Sequence, residues 1–416
     1  MPKNGELSGL TADTKSPLTA EDLKELEDHF RSGRLIRPSH KSLNFIDLVL
    51  ALSLLTGAGA PPTEGAKELS RTIGPSKRYV FILIDALGLE MLETLPPSCL
   101  MRSSFSRKLQ TVFLSSTAAA LTSLATGLWP NAHSVPGWWT FIESHNINAV
   151  TLPFLERDSG NALERYGLTA GDIYPVPSFW KDITFNSLNI MPEDIVDSTY
   201  AMYAGGGNRR RGYRDLENAF ELLASSVLSS DAPSITYLYL PHLDHLSHIK
   251  GPYSEAARNL LLSIDRYLLK TADSLADKAR IVISADHGQI TVPEDRRFDL
   301  EREDTLLSYL RCIPTGEPSV PIFHTIKGED ARFYSEFKAR FGDSFLLLAN
   351  DQIEGLELFG PGPLSPIMKE RIGSFMGIPF RPSTINIRQK DGTFNQNIGV
   401  HGGLSRSEMY IPLMLI

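Results

Sequence analysis

Residues 79–85 read YVFILID: six apolar residues without alternation, closed by a carboxylate. An unbroken run of this kind, rich in Val, Ile, Leu and aromatic residues, suits a central strand covered on both faces. Comparable runs recur at 111–114 (TVFL), 235–240 (ITYLYL), 281–285 (IVISA), 345–349 (FLLLA) and 410–416 (YIPLMLI). Segments of helical composition lie between them, for example 254–276 and 330–341. This alternation predicts an α/β fold, a three-layer sandwich with helices on both sides of a mostly parallel central sheet.

Ahead of the first strand, residues 1–75 form a helical lead-in expected to pack on the core. A helix over 18–30 is expected to start behind Thr19 as its N-cap, with Glu21 and Asp22 in the first turn. The apolar stretch 45–55 (FIDLVLALSLL) carries Asp47 and falls short of the ~20 residues of a membrane span, so it reads as a buried helix. Residues 76–416 are then expected to form one domain. Its rhythm is interrupted at about 131–232 by Gly205 to Gly207, the run Arg209 to Arg211, and Trp138, Trp139 and Trp180, which read as an inserted cap. A second irregular stretch, about 288–380, is expected to return to the main core.

The 416 residues carry 41 Lys+Arg against 49 Asp+Glu, a net charge of −8 that argues against nucleic-acid polymers as partners. Two cysteines, Cys99 and Cys312, are too few for a disulfide framework or a thiolate metal site. The polar, acidic N-terminus has no apolar signal region, and no stretch reads as a membrane span. A cytoplasmic protein without membrane contact is therefore expected.

The chemistry gathers where strands end. YVFILI is followed by Asp85, TVFLSS by Thr117, ITYLYLP by His242 and Asp244, and IVISA by Asp286 and His287. In open α/β sheets functional groups collect at the carboxyl ends of strands. A single Asp after a strand is commonly a helix cap; the joint pattern carries the argument. Asp244 and His248 stand at i, i+4, which puts carboxylate and imidazole on one helical face. Asp286-His287-Gly288 and His401 beside Gly402-Gly403 add further N and O donors, enough for two divalent ions.

The ordered set IDALG, STAAALTSLATGLWPNAH, LPHLDHLSHIKGP, SADHG and VHGGLSRSEMYIPL resembles the alkaline phosphatase superfamily, and within it the type I phosphodiesterase/nucleotide pyrophosphatase branch. The resemblance runs from about residue 76 to the C-terminus. It implies an alkaline phosphatase-like sandwich with a cap and two bound zinc ions, Mn2+ being compatible with the same donors. One ion would be held by Asp85, Thr117, Asp286 and His287, the other by Asp244, His248 and His401. The family nucleophile opens a helix nine positions before a Thr-Gly pair, and Thr126-Gly127 selects Thr117. Ser116, which also reads as the helix N-cap, is its rival.

The activity implied is metal-dependent hydrolysis of a small phosphodiester or nucleotide pyrophosphate through a phosphothreonine, with phosphomonoester or phosphonate hydrolysis as the alternative. A non-catalytic binding protein is disfavoured because every candidate ligand is present. One departure concerns the phosphoryl grip. Nucleotide pyrophosphatases place an Asn near the metals, whereas Ala118, Ala119 and Ala120 follow Thr117, so backbone N–H groups or a cap residue must serve. Trp138 and Trp139, with Trp129 and Phe141, are candidates to stack on a flat substituent. Arg210 of the 209–211 run is a candidate phosphate contact; packing and solvation are the plainer readings of these residues. His133 reads as structural.

Overall fold

The computed structural model describes residues 17–229 and 231–416, so the first sixteen residues of the lead-in lie outside it. A seven-stranded sheet runs in the order Phe105–Gln110, Tyr410–Leu415, Arg280–Ser284, Arg78–Ile84, Ser234–Leu240, Asn186–Pro192, Arg209–Tyr213. The last five of these pair in parallel, and Tyr410–Leu415 is antiparallel to both its neighbours. In Arg78–Ile84 and Ser234–Leu240 every residue after the first is buried. Continuous burial requires cover on both faces, which makes the fold a three-layer α/β/α sandwich. Phe45–Thr56, Glu64–Ile73, Thr117–Thr126, Leu216–Leu228 and Glu255–Leu275 supply helical cover from one continuous apolar cluster.

Local chemistry sets several of these elements. Asn44 and Asp47 make a reciprocal capping box at Phe45–Thr56. Thr19 stands at the N-cap of Ala20–Ser32, but its hydroxyl donates to Gln352 at 2.8 Å instead of capping the helix. The TVFL run is not a strand. The strand is Phe105–Gln110, and beyond it the chain leaves the sheet: Thr111 bonds the Asp286 carbonyl, while Phe113 and Leu114 enter a second apolar cluster.

A second seven-stranded sheet stands beside the first, ordered Phe345–Ala349, Phe375–Pro379, Pro321–Phe323, Thr315–Gly316, Trp139–Ile142, Ile147–Val150, Leu155–Glu156. All its pairings are antiparallel. FLLLA is therefore a strand of this sheet. Segment 131–232 divides between the two sheets: its first three strands join the second, and Asn186–Pro192 and Arg209–Tyr213 extend the first. Of the 288–380 segment, Thr315–Gly316, Pro321–Phe323, Phe345–Ala349 and Phe375–Pro379 join the second sheet, whose apolar side is filled by Phe323, Phe333, Phe337, Phe345 and Phe375. Ile290–Thr291 and Arg297–Leu300 pair in separate two-stranded sheets and not in the main core. Among the described residues no helix is long and apolar enough to cross a membrane.

Candidate active site

The parallel strands deliver their terminal residues to one point. Asp85 follows Arg78–Ile84, and its N–H donates to the Leu240 carbonyl across the sheet at 3.0 Å. Asp286 and His287 follow Arg280–Ser284. Asp286 Oδ1 accepts from the N–H groups of Ala86 (3.1 Å) and His287 (3.0 Å), which locks the two strand-end loops together. Gly288 is required here, because a Cβ would lie 1.9 Å from the Ser407 carbonyl oxygen. Asp244 and His248 sit on the His242–Lys250 helix, with His248 Nε2 3.3 Å from Asp244 Oδ2.

His401 arrives from the loop before the last strand, its Nε2 3.7 Å from Asp244 Oδ1 and its ring stacked on His287 at 4.0 Å. Gly402 follows with φ +120°, and a Cβ there would press on Ser319 and Glu317.

Five of the seven sequence-predicted ligand residues thus meet as two groups that share His287. Donor atoms of Asp85, Asp286 and His287, and of Asp244, His287 and His401, lie within 4.8 Å of one another. His248 adjoins the second group through Asp244. Thr117 opens the Thr117–Thr126 helix, and its hydroxyl lies 3.0 Å from His287 Nε2. His287 Nε2 is also 3.4 Å from Asp85 and 3.6 Å from Asp286.

These donors suit cations. Asp85 Oδ1 and Asp286 Oδ2 are buried without a hydrogen-bond partner, a costly state for a carboxylate unless a positive charge faces it. Each of the three imidazoles places Nδ1 at a backbone carbonyl: His248 at Gly399 (2.7 Å), His287 at Gly288 (3.1 Å), His401 at Ser115 (3.1 Å). An Nδ1–H donated to each carbonyl turns each Nε2 inward, the arrangement that holds metal-binding histidines in place.

Charge crowding is evident in the titration of the group. Burial, then the charges of Asp286 and Asp244, push the Asp85 carboxyl well above the usual carboxylate range. Burial also raises Asp286. Asp244 is opposite: burial works against its charge, yet His248, His401 and His287 outweigh it and hold the carboxyl low. His248 is raised to about 9, its burial overcome by Asp244, whereas burial and the neighbouring His287 keep His401 well below the ordinary imidazole range.

Ser116 occupies the N-cap position but makes no cap bond; its hydroxyl donates to the buried Glu317 carboxylate, which also accepts the Trp138 N–H at 2.9 Å. Burial raises Glu317 to about 7. The N–H groups of Thr117, Ala118 and Ala119 precede the first intrahelical bond, made by Ala120 to the Ser116 carbonyl. Glu317, Tyr239 (whose hydroxyl donates to Asp85) and Gln289 (whose amide donates to Asp244) were not anticipated. Tyr239 had a signal, since Tyr237 and Tyr239 alternate onto one face of their strand. Glu317 lies in an irregular stretch 201 positions from its partner and had none.

A cavity of about 760 Å3 opens from Asp85, Thr117 and Asp244, and its wall includes Leu121, Leu124, Trp138, Trp180, Met191 and Tyr237. Asn189 also lines it, with a buried Oδ1 that has no hydrogen-bond partner. The other aromatic candidates lie elsewhere. Trp139 supports the Arg157 guanidinium at 3.6 Å, Phe141 packs on His324, and Trp129 sits against the apolar core. Arg210 is absent from the cavity wall; its Nε donates to the Val196 carbonyl at 3.0 Å and its Nη2 is 3.6 Å from Asp197. His133 is fully buried between Ser123 and the Val135 N–H, and burial lowers it to about 3.

A fold and site of this kind define a metal-dependent phosphoric ester hydrolase. The profile of the family described as type I phosphodiesterase / nucleotide pyrophosphatase matches residues 79–311, and the chain belongs to that family. Many solved structures share the fold. Murine ectonucleotide pyrophosphatase / phosphodiesterase 5 is similar at 14% identity, over 80% of this chain and 87% of that one, with a TM-score of 0.60. The human protein of the same name is similar at 15%, over 81% and 87%, with a TM-score of 0.60. Phosphonoacetate hydrolase from Sinorhizobium meliloti 1021 is similar at 17%, over 81% and 89%, with a TM-score of 0.58. No curated protein sequence matches the chain.

Proposed function

We propose that the chain hydrolyses phosphodiesters or nucleotide pyrophosphate-type substrates with two divalent cations and a covalent phosphothreonine on Thr117. The observation that carries this reading is the convergence of three inward-facing Nε2 atoms with Asp85, Asp244 and Asp286 beside the Thr117 hydroxyl. Asp85, Thr117, Asp286 and His287 would hold one ion, and Asp244, His248 and His401 the other. Mixed nitrogen and oxygen donors suit Zn2+, with Mn2+ as the alternative. When bound, the ions supply positive charge at the nucleophile and at the phosphoryl oxygens.

The chain's own groups account for the remaining steps. The helix start sets the Thr117 hydroxyl beside His287, within reach of the ion that the two would share, and the unpaired N–H groups of the first helical turn face the phosphoryl anion, a grip that no side chain of Ala118 to Ala120 could provide. Thr117 Oγ1 attacks phosphorus and gives up its proton, the bond to the leaving oxygen breaks, and that oxygen departs with the electron pair and takes up a proton from solvent. Water then attacks the phosphothreonine, the Thr117 O–P bond breaks, one proton of the water restores the hydroxyl, and the phosphate product leaves. Two displacements retain configuration at phosphorus.

The apolar cavity suits an ester whose organic substituent is bulky and largely apolar. Trp138 is the candidate to stack on it, and Asn189 offers an acceptor to a donor on it. Cys99 and Cys312 are unpaired, in keeping with a cytoplasmic setting.

The test is a parallel assay of a nitrophenyl phosphodiester, monoester, nucleotide pyrophosphate, phosphonate and sulfate, with Thr117→Ala as control and metal content measured on the same preparation. Preference for the diester or pyrophosphate, lost in Thr117→Ala, supports the reading. A protein that neither contains nor acquires a divalent ion, or a Thr117→Ala enzyme at full activity, overturns it.

A further inference from the structure

A second cavity, of about 300 Å3, lies on the far side of Trp138, which lines both cavities. Its chemistry is opposite to that of the first. The wall carries Arg157, Arg302, Arg388 and Lys390 against the carboxylates of Asp158 and Asp391. Part of this charge is neutralised internally. Arg302 grips Asp158 with two nitrogens at 2.5 and 3.2 Å, Arg388 grips Glu301, and Asp391 accepts from the hydroxyl and N–H of Thr393.

Arg157 is different. Among the described residues it has no ion-pair partner; one nitrogen donates to the Pro314 carbonyl at 2.6 Å, and the guanidinium rests on the Trp139 ring. Burial lowers its pKa to about 10, so it remains charged at neutral pH. Lys390, largely exposed, stands 3.8 Å from an Asp158 oxygen already engaged by Arg302.

We propose that this cavity binds a compact anionic group, a phosphate or a carboxylate, between Arg157 and Lys390. A guanidinium held flat by an aromatic ring, with most of its N–H donors uncommitted to protein acceptors, is preorganised for planar or tetrahedral oxyanions. Arg157 is partly exposed to this cavity, and the nearby Asp158 carboxylate is already held by Arg302. The anion has two chemical sources: a second acidic group carried by the substrate around Trp138, or free phosphate. The first source rests on the Thr117 reading given above, whereas the second does not.

Both sources are tested on the metal-loaded protein. Inorganic phosphate is titrated calorimetrically into wild type, Thr117→Ala, Arg157→Gln and Lys390→Glu. The expected result is a binding event retained in Thr117→Ala, weakened at least tenfold by Arg157→Gln and at least threefold by Lys390→Glu. Lys390 is exposed, so that variant should fold even if loss of the Arg157 stack disrupts the first. In parallel, KM is compared for 4-nitrophenyl diphosphate and 4-nitrophenyl ethyl phosphate. A KM increase at least tenfold larger for the diphosphate in the Arg157 or Lys390 variant identifies a substrate-borne anion; equal changes with weakened phosphate binding identify free phosphate. Phosphate affinity and KM ratio both unchanged in folded Lys390→Glu and Arg157→Gln overturn the proposal. Full turnover by Thr117→Ala instead contradicts the nucleophile assignment alone.

Discussion

Ser116 commits its hydroxyl to Glu317, which leaves Thr117 as the hydroxyl facing the carboxylate and imidazole cluster. The two adjacent side chains should therefore separate cleanly in an assay. Thr117→Ala is expected to lose about three orders of magnitude or more in kcat with the nitrophenyl diester, Thr117→Ser to keep part of the rate, and Ser116→Ala to remain active. A Ser116→Ala enzyme as impaired as Thr117→Ala would reverse the assignment. The helix start at Thr117 was legible in the sequence, whereas the preference for Thr117 over Ser116 came from the family resemblance, whose nucleophile stands nine residues before a Thr-Gly pair. The Glu317 partner was not legible, because contact order this long leaves no local pattern.

His133 permits a separate test at the same scale. Its folded pKa, about 3, lies below the unfolded value, so the unfolded chain binds the extra proton. Its contribution to stability is complete above about pH 6.5 and is lost progressively as pH falls. Between pH 5 and 6, urea unfolding of His133→Gln should show a stability slope smaller than that of the wild type by about 1 kcal/mol per pH unit. An unchanged slope would show that His133 is not buried neutral.

Among the elements, runs with continuous burial were the easiest to recognise and irregular connections the hardest. YVFILI, ITYLYL and IVISA all form central strands, and each ends in residues of the site because parallel strands share one carboxyl edge. TVFL has the same composition yet leaves the sheet, Val112 joining the first apolar cluster and Phe113 and Leu114 the second. Tertiary burial overrides strand propensity there. FLLLA is a strand, but apolar content alone does not tell which sheet receives it. The helix Asp330–Phe341 was legible from its spacing, and Phe333, Phe337 and Phe341 form its buried stripe against Phe323 and Phe345. Phe337→Ala should lower unfolding free energy by about 3–5 kcal/mol. Equilibrium denaturation checks this, and a loss under 1 kcal/mol would show that the stripe is not a tight core.

Across the whole molecule, a net charge of −8 coexists with a site that gathers three buried or half-buried carboxylates and three imidazoles around two orphaned oxygens. Loss of counter-ions should therefore be felt beyond catalysis. Dialysis against a chelator is expected to abolish turnover and lower Tm by several degrees, with both restored by Zn2+; an unchanged Tm and full activity in the metal-free protein would contradict the fit of these residues to cations. The second sheet was the part of the architecture least visible beforehand. Its strands are short, antiparallel and drawn from two distant segments, 139–156 and 315–379, yet it carries Glu317 and Ser319, which brace the Ser116 and His401 loops. The central claim, covalent transfer through Thr117, is tested most directly by stereochemistry. A diester made chiral at phosphorus with sulfur is hydrolysed in 18O-enriched water and the product configuration is determined. Two displacements predict retention at phosphorus, and inversion would mean that water attacks the substrate directly.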